Sequence, residues 1–223
     1  MEMVGGMGEI ISTLMAGDSF MLQDAMRNNP GLWPLGLIVT LLGGALVAAI
    51  YRFVPFIERH LEPTVMVISY LAIGYIIFAG VVQRFFLNGQ PAWSTTLPPF
   101  LFLIMTWIGC SYNVKLRTHL AFAEFRRMAP RAVQLALLLL DAVLWLGIAW
   151  IVVVTTTQET VRAAANFSIM LGTDNMMQWW FLISVPLAFL LLAGRVFENA
   201  LDDWRKYRDG AEMIETAVIG GDA

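Results

Sequence analysis

The sequence predicts an all-α integral membrane protein with five transmembrane helices, its N-terminus outside and its C-terminus inside. Three observations carry this. Of 223 residues, 58% are apolar and 14% charged, against roughly 45–50% and about 25% in an ordinary soluble domain, and the mean hydropathy is +0.68. Five runs are long enough to cross a hydrocarbon core, which needs about 20 apolar residues. Lysine and arginine fall unevenly on the connections between those runs. The composition excludes a disordered chain and a basic nucleic-acid binder. A net charge of −3 gives no reason to expect a polyanionic partner. One cysteine, Cys110, can form neither an internal disulfide nor a cysteine-based zinc site.

The first 32 residues hold Glu2, Glu9, Asp18 and Asp24 against Arg27. The stretch Glu9–Met26 is weakly amphipathic and reads as a helix on the membrane surface. The first span is Trp33–Val54. A secretory signal has a short basic front end, and this acidic approach predicts a retained helix instead. The second span is Thr64–Gln83, bounded by Glu62 and Arg84. The third, Leu97–Val114, is bounded by Lys115. The fourth, Ala132–Thr155, is charged only at Asp141, and the fifth, Met177–Gly194, is closed by Arg195. Pro34, Pro63 and Pro98 are expected near helix starts, where a missing N–H costs little. Pro186 is expected to kink the fifth span. Trp93, Trp179 and Trp180 read as interface anchors.

Assigning the connections alternately puts eleven Lys and Arg residues on one side, from Arg52 to Arg208, and three on the other, Arg27, Arg84 and Arg162. The basic side is cytoplasmic. The Lys115–Arg131 connection mixes charge with Leu116, Leu120, Phe122, Phe125 and Met128. It reads as an ordinary positive connection rather than an interfacial helix.

The chemistry on offer is sparse. His60 and His119 both fall in cytoplasmic connections, not face to face in a bundle as haem ligation needs. No HExxH, Walker, GxGxxG, GxSxG or CxxC pattern is present, so no enzyme activity, cofactor or metal site is expected. Asp141 is the one carboxylate well inside a span. Such acids are costly and face protein or water. A structural role is favoured over an ion site, with Gln134, Gln83 or another subunit as partner. Arg84 reads as a snorkelling residue at the outer interface. The pairs Gly44/Ala48 and Ala45/Ala49 permit close helix packing, a weak signal in a chain rich in both residues. Thr95, Thr96 and Thr155–Thr157 are expected to satisfy helix-end backbone groups.

From residue 64 to 208 the pattern resembles the small membrane (Q) subunit of TRAP (tripartite ATP-independent periplasmic) transporters, the DctQ family. The second span ends in Val-Val-Gln-Arg-Phe-Phe-Leu-Asn (81–88), similar to the family's apolar helix closed by an arginine, an aromatic and an asparagine turn. Trp93 opens the next helix. That helix runs through Trp107-Ile-Gly-Cys-Ser-Tyr into Lys115-Leu-Arg-Thr-His-Leu, resembling the family's glycine-containing stretch and its basic, histidine-bearing inner turn. A basic connection ending at Pro130, two more spans and a basic tail complete the order. The sequence departs in two ways. Ser94, Thr95 and Thr96 stand where the family often has acids, so no role of those acids carries over. Trp33–Val54 adds a helix to the family's usual four.

The resemblance implies a four-helix DctQ-like core plus one extra N-terminal helix. The chain then divides into an N-terminal segment 1–32, the extra helix and its connection 33–63, the core 64–208 and a tail 209–223. It implies a non-enzymatic scaffold subunit in the bacterial inner membrane. That subunit packs on a large elevator-type permease that imports an organic anion with sodium. The outer loops Phe85–Thr96 and Gln158–Met176 would touch the periplasmic binding protein, and lipid could fill the seam. Sodium would bind the partner, not this chain. Candidate interface or structural residues are Arg84, Trp93, Trp107, Gly109, Arg117, His119 and Asp141. The rival reading is a membrane anchor subunit of an oxidoreductase or another multisubunit complex, which would carry histidine pairs within spans.

Overall fold

A computed structural model of the chain describes residues 2–117 and 126–213. Among these residues the fold is helical throughout, apart from one antiparallel bridge between Ile169 and Met177. The helices are α1 (Glu2–Ala16), α2 (Ser19–Met26), α3 (Leu32–Phe53), α4 (Pro55–Phe86), α5 (Trp93–Leu116), α6 (Arg131–Ala165), α7 (Trp179–Leu182) and α8 (Ser184–Asp209). Five stretches are apolar and long enough to cross a membrane: α3, α4, α5, α6 and α7 with α8. The predicted count of five spans therefore stands. Their ends do not.

The second span begins at Pro55, nine residues before the expected Thr64, and Pro63 lies inside the helix. Only Val54 separates α3 from α4. Proline at the first helical position starts α4 without losing a bond. Glu58 and Glu62 then gain partners on α5 and α8 that hold the turn containing Pro63 in place. The expected 55–63 connection is thus the first turns of a 32-residue helix. The third span starts at Trp93 rather than Leu97, which leaves Pro98 and Pro99 inside α5. The fourth runs ten residues beyond Thr155. Thr155 and Thr156 therefore lie mid-helix and bond back to the carbonyls of Ile151 and Val152. In the fifth, the break falls at Ile183, and Pro186 sits in the first turn of α8 instead of kinking its middle. The Leu120, Phe122 and Phe125 positions of the basic connection lie outside the described residues.

The N-terminal segment is a packed helical pair rather than one surface helix. Gly17 takes a left-handed backbone (φ +73) that ends α1. Asp18 then caps α2, accepting from the N–H groups of Phe20 and Met21. Ile10, Leu22, Ala25 and Met26 bury themselves with Leu32 on α3 and Val154 on α6. Trp150 of α6 donates its indole N–H to the Trp33 carbonyl at 2.9 Å and meets the Trp33 ring edge-on.

Helix α8 is the axis of the bundle and touches α3, α5 and α6. Val185, Phe189, Leu192, Ala193 and Val196 form the main core with Val114, Ala149 and Val153. Of the two small-residue pairs, Gly44/Ala48 lies at this crossing, whereas Ala45 is exposed. Gly44 lies against Ala193 and Phe197, and Gly194 lies against Val47 and Ala48, so α3 and α8 approach closely.

The start of α6 also ties down the end of α8. Arg131 donates to the carbonyls of Lys206, Tyr207, Gly210 and Ala211, at 2.7–3.3 Å. These carbonyls lie in the last turn of α8 and just beyond it, the Lys206 carbonyl also accepting from the N–H groups of Gly210 and Ala211, and a cation suits the negative end of the helix. Arg131→Ala is expected to fray α8, seen as faster amide exchange over 207–211 with no change near Val185.

Candidate functional site: a charged junction of four helices

Among the described residues the apolar bundle contains one dense polar centre. Glu58 and Glu62 lie one turn apart on α4, so they share a helical face. Arg195 and Glu198 do the same on α8. Tyr51 comes from the last turn of α3, and Ser111 and Lys115 from the last turns of α5. These ends meet because α3 and α8 run past one another at their glycines and α4 turns back immediately after Val54.

Arg195 and Glu62 are almost fully enclosed, at 1% and 0% exposure. Such burial is tolerable only with complete pairing. All five N–H donors of Arg195 are engaged. Nε bonds both Glu62 oxygens at 3.2 Å, and Nη2 bonds Glu62 Oε2 at 2.7 Å and the Glu58 carbonyl at 2.8 Å. Nη1 bonds Glu58 Oε1 at 3.0 Å and Glu198 Oε2 at 2.8 Å. The planar fork is what permits this. Its face is covered by the Tyr51 ring, 3.9 Å from the guanidinium carbon. Glu62 Oε1 also accepts from Ser111 at 2.7 Å and from the Tyr51 hydroxyl at 3.3 Å. Lys115 pairs with Glu58 at 2.5 Å. One carboxylate, Glu62, is thereby bonded from α3, α5 and α8.

A second layer extends from this centre. Arg117, at the left-handed end of α5, pairs with Asp203 at 2.6 Å and bonds the Asn199 carbonyl. Asn199 in turn bonds the Val114 carbonyl. Beside them lies a cavity of about 30 Å³ lined by Arg117, Asp141, Asn199 and Asp203, room for about two waters. Asp141 faces Arg126 at 2.5 Å. Its expected partner Gln134 instead caps the carbonyls of Arg127 and Ala129. Although the Asp141 side chain is about one quarter exposed, the contacting atoms, Asp141 Oδ2 and Arg126 Nη1, are buried. Asp141→Asn leaves the Arg126 cation facing a neutral amide and is expected to cost about 1–3 kcal/mol. A thermal-denaturation curve in detergent checks this, and an unchanged curve would show that the pair carries no structural weight.

The other predicted residues are scattered. Trp107 packs on Phe189, ring centroids 5.1 Å apart. Gly109 is buried against the tip of Met66, whose methyl would lie 3.3 Å from an added Cβ. Trp93 opens α5 at the opposite end of the bundle, where Arg84 stands exposed in the last turn of α4. Trp179 and Trp180 meet edge-on in α7. His60 stacks on Phe56 at an exposed position, and His119 lies outside the described residues. The structure thus gathers Arg117 near Asp141 and leaves Arg84 and Trp93 at the other end.

Sequence reasoning missed the junction. Glu62 and Arg195 read as boundaries of separate spans, and Glu58 as part of a loop. The available signal was the four-residue spacing of Glu58 and Glu62. The expected break at Pro63 concealed it.

The profile described as "Tripartite ATP-independent periplasmic transporters, DctQ component" matches residues 73–206. The chain belongs to the DctQ family. The matched region starts midway along α4 and ends near the end of α8, so it contains Ser111, Lys115, Arg195 and Glu198. It leaves out α1, α2 and α3, along with Tyr51, Glu58 and Glu62. In this DctQ component the junction therefore joins the family-matched helices to the part of the chain that precedes them. No match to the chain is found among curated proteins. As a DctQ component the chain is a TRAP transporter small membrane subunit. Its family works with a large membrane subunit and a binding protein.

Proposed function

We propose that this chain is a non-catalytic scaffold subunit of a sodium-coupled importer of an organic anion. It holds the large subunit at fixed depth in the bacterial inner membrane while that subunit moves substrate. The observation that carries this reading is the junction around Glu62 and Arg195. It fastens α3, α4, α5 and α8 at one level with a fully engaged guanidinium. A partner that must stay still while its neighbour slides needs helices that do not shear. Buried, directional charge pairs fix register better than apolar contacts do. Interface tryptophans such as Trp33, Trp93, Trp179 and Trp180 would set its depth.

The arginine-rich end carrying Arg195, Arg205 and Lys206 is the cytoplasmic one by charge. The Trp93 end then faces the binding protein, through the turn after α4 and the segment between α6 and α7. Sodium and substrate belong to the large subunit.

The test is uptake into proteoliposomes. With binding protein, a sodium gradient and a panel of carboxylates and sulfonates, the large subunit is expected to transport only when this chain is present. Full-rate transport by the large subunit alone would refute the scaffold role.

A further inference from the structure

Helix α4 is among the least covered of the spans. Its buried residues, Glu62, Ser69, Ile76 and Gly80, recur along one line, and the opposite side is open. On that open side stand Tyr70 and Tyr75, 67% and 70% exposed. Tyr70 lies eight residues beyond Glu62 and Tyr75 nine before Arg84. Each is about 12–14 Å from the nearest charged residue of the helix at a rise of 1.5 Å. They therefore sit near the middle of the bilayer.

That is a poor place for a free hydroxyl. Tyrosine in a membrane protein usually sits at the interface with its O–H in water. These two are too deep to reach it. Among the described residues neither hydroxyl has a hydrogen-bond partner. A serine or threonine at such a depth can turn its hydroxyl back to the carbonyl four residues earlier. A tyrosine oxygen, at the far end of its ring, cannot. Left in lipid, each would remain unsatisfied.

The neighbouring groove has the complementary defect. Gly80 faces Ser94 and Gly109 faces Met66, which sets α4 and α5 antiparallel. Between them runs a groove of about 590 Å³ lined by Ile77, Val81, Ser94, Pro98, Pro99 and Phe102. Pro98 and Pro99 have no N–H to give the carbonyls of Ser94 and Thr95. Tyr70 stands one turn before Ile73 on the groove flank of α4, and Tyr75 stands on the other flank of the open side. Gly74 lies on the same side between the two tyrosines, and the space beyond it is empty, which allows another helix to come close. The exposed side of α6 differs. Its Val143, Leu144, Ile148 and Ile151 are purely aliphatic and match lipid chains.

We propose that the α4 face around Tyr70, Gly74 and Tyr75, with the adjoining α4–α5 groove, docks a transmembrane helix of the large subunit. That helix presents hydrogen-bonding groups at mid-bilayer. Lipid chains offer no such groups, and an aliphatic helix would leave both hydroxyls unpaired. The inference rests on the scaffold reading above.

The test places a photocrosslinking amino acid at Leu71 or Phe78 on α4, and at Val143 or Leu144 on α6, in the full chain co-expressed with the large subunit. The α4 probes are expected to capture the large subunit and the α6 probes only lipid. Tyr70→Phe with Tyr75→Phe is expected to weaken the complex about threefold for each hydroxyl lost, with the chain's own thermal stability unchanged. Capture from α6, with lipid alone on α4, would overturn the docking face and leave the scaffold role intact. Capture of the large subunit from neither helix would likewise overturn the docking face, while the scaffold role stands or falls by the uptake test above.

Discussion

Arg195→Ala is expected to lower the stability of the chain by about 3–5 kcal/mol, the range for breaking a buried ion pair from one side. The loss comes less from the missing attraction than from what stays behind. Glu62 is fully enclosed, and its carboxylate would keep only Ser111 and Tyr51 as donors. Glu58 would keep Lys115, and Glu198 would lose its guanidinium partner. Arg195→Lys is expected to fail nearly as badly. One ammonium has three donors at a point, and the site uses five in a plane. Glu62→Gln should be milder, because the amide still accepts from Ser111 and Arg195 retains Glu58 and Glu198. The paired replacement Arg195→Met with Glu62→Leu should recover much of the loss, since no buried charge is then orphaned. Thermal denaturation in detergent, followed by gel filtration, orders the four variants. If Arg195→Ala matched the unaltered protein, the junction would carry no structural weight.

The second large effect is expected at the α3–α8 crossing. A Cβ at position 44 would lie 2.8 Å from the Ala193 Cβ and 3.2 Å from its carbonyl carbon. Backbone cannot give way as a side-chain tip can. Gly44→Leu should therefore push α3 off α8, at a cost of about 1–3 kcal/mol or more. Ala45→Leu, one position round the helix and exposed, should be nearly silent. The readout is a disulfide between cysteines placed at Gly43 and Leu190, which are in contact, with Cys110 replaced. It should form in the parent and in the Ala45→Leu protein and fail in Gly44→Leu. Equal crosslinking in all three would mean that α3 is not held where the glycines place it.

These two sites show where the sequence was readable. Hydropathy reported the five spans because burying an apolar run in a bilayer depends on composition alone. It could not report their ends. Pro63 and Pro98 read as starts, yet α4 and α5 carry them inside, held by contacts from other helices. The length of α6 past Thr155 depends on α2 packing against it, which no local pattern announces. The family pattern was legible from the Arg84, Trp93 and Trp107–Leu120 neighbourhoods, and the match over 73–206 agrees with it. The junction was not legible, because hydrogen-bonded members lie as much as 137 positions apart and its charged members look like ordinary flanking charges. Asp141 drew attention as the lone acid within a span. The structure gives the more enclosed role to Glu62, which no hydropathy window singles out.

The central claim is that this chain is the fixed small subunit of a three-part importer. The most direct test is native mass spectrometry of the tagged chain, extracted with its large subunit in mild detergent. The account predicts one dominant species containing one copy of each, lost in Arg195→Ala. Recovery of the chain alone, or bound to a protein that is not a many-span permease, would contradict it.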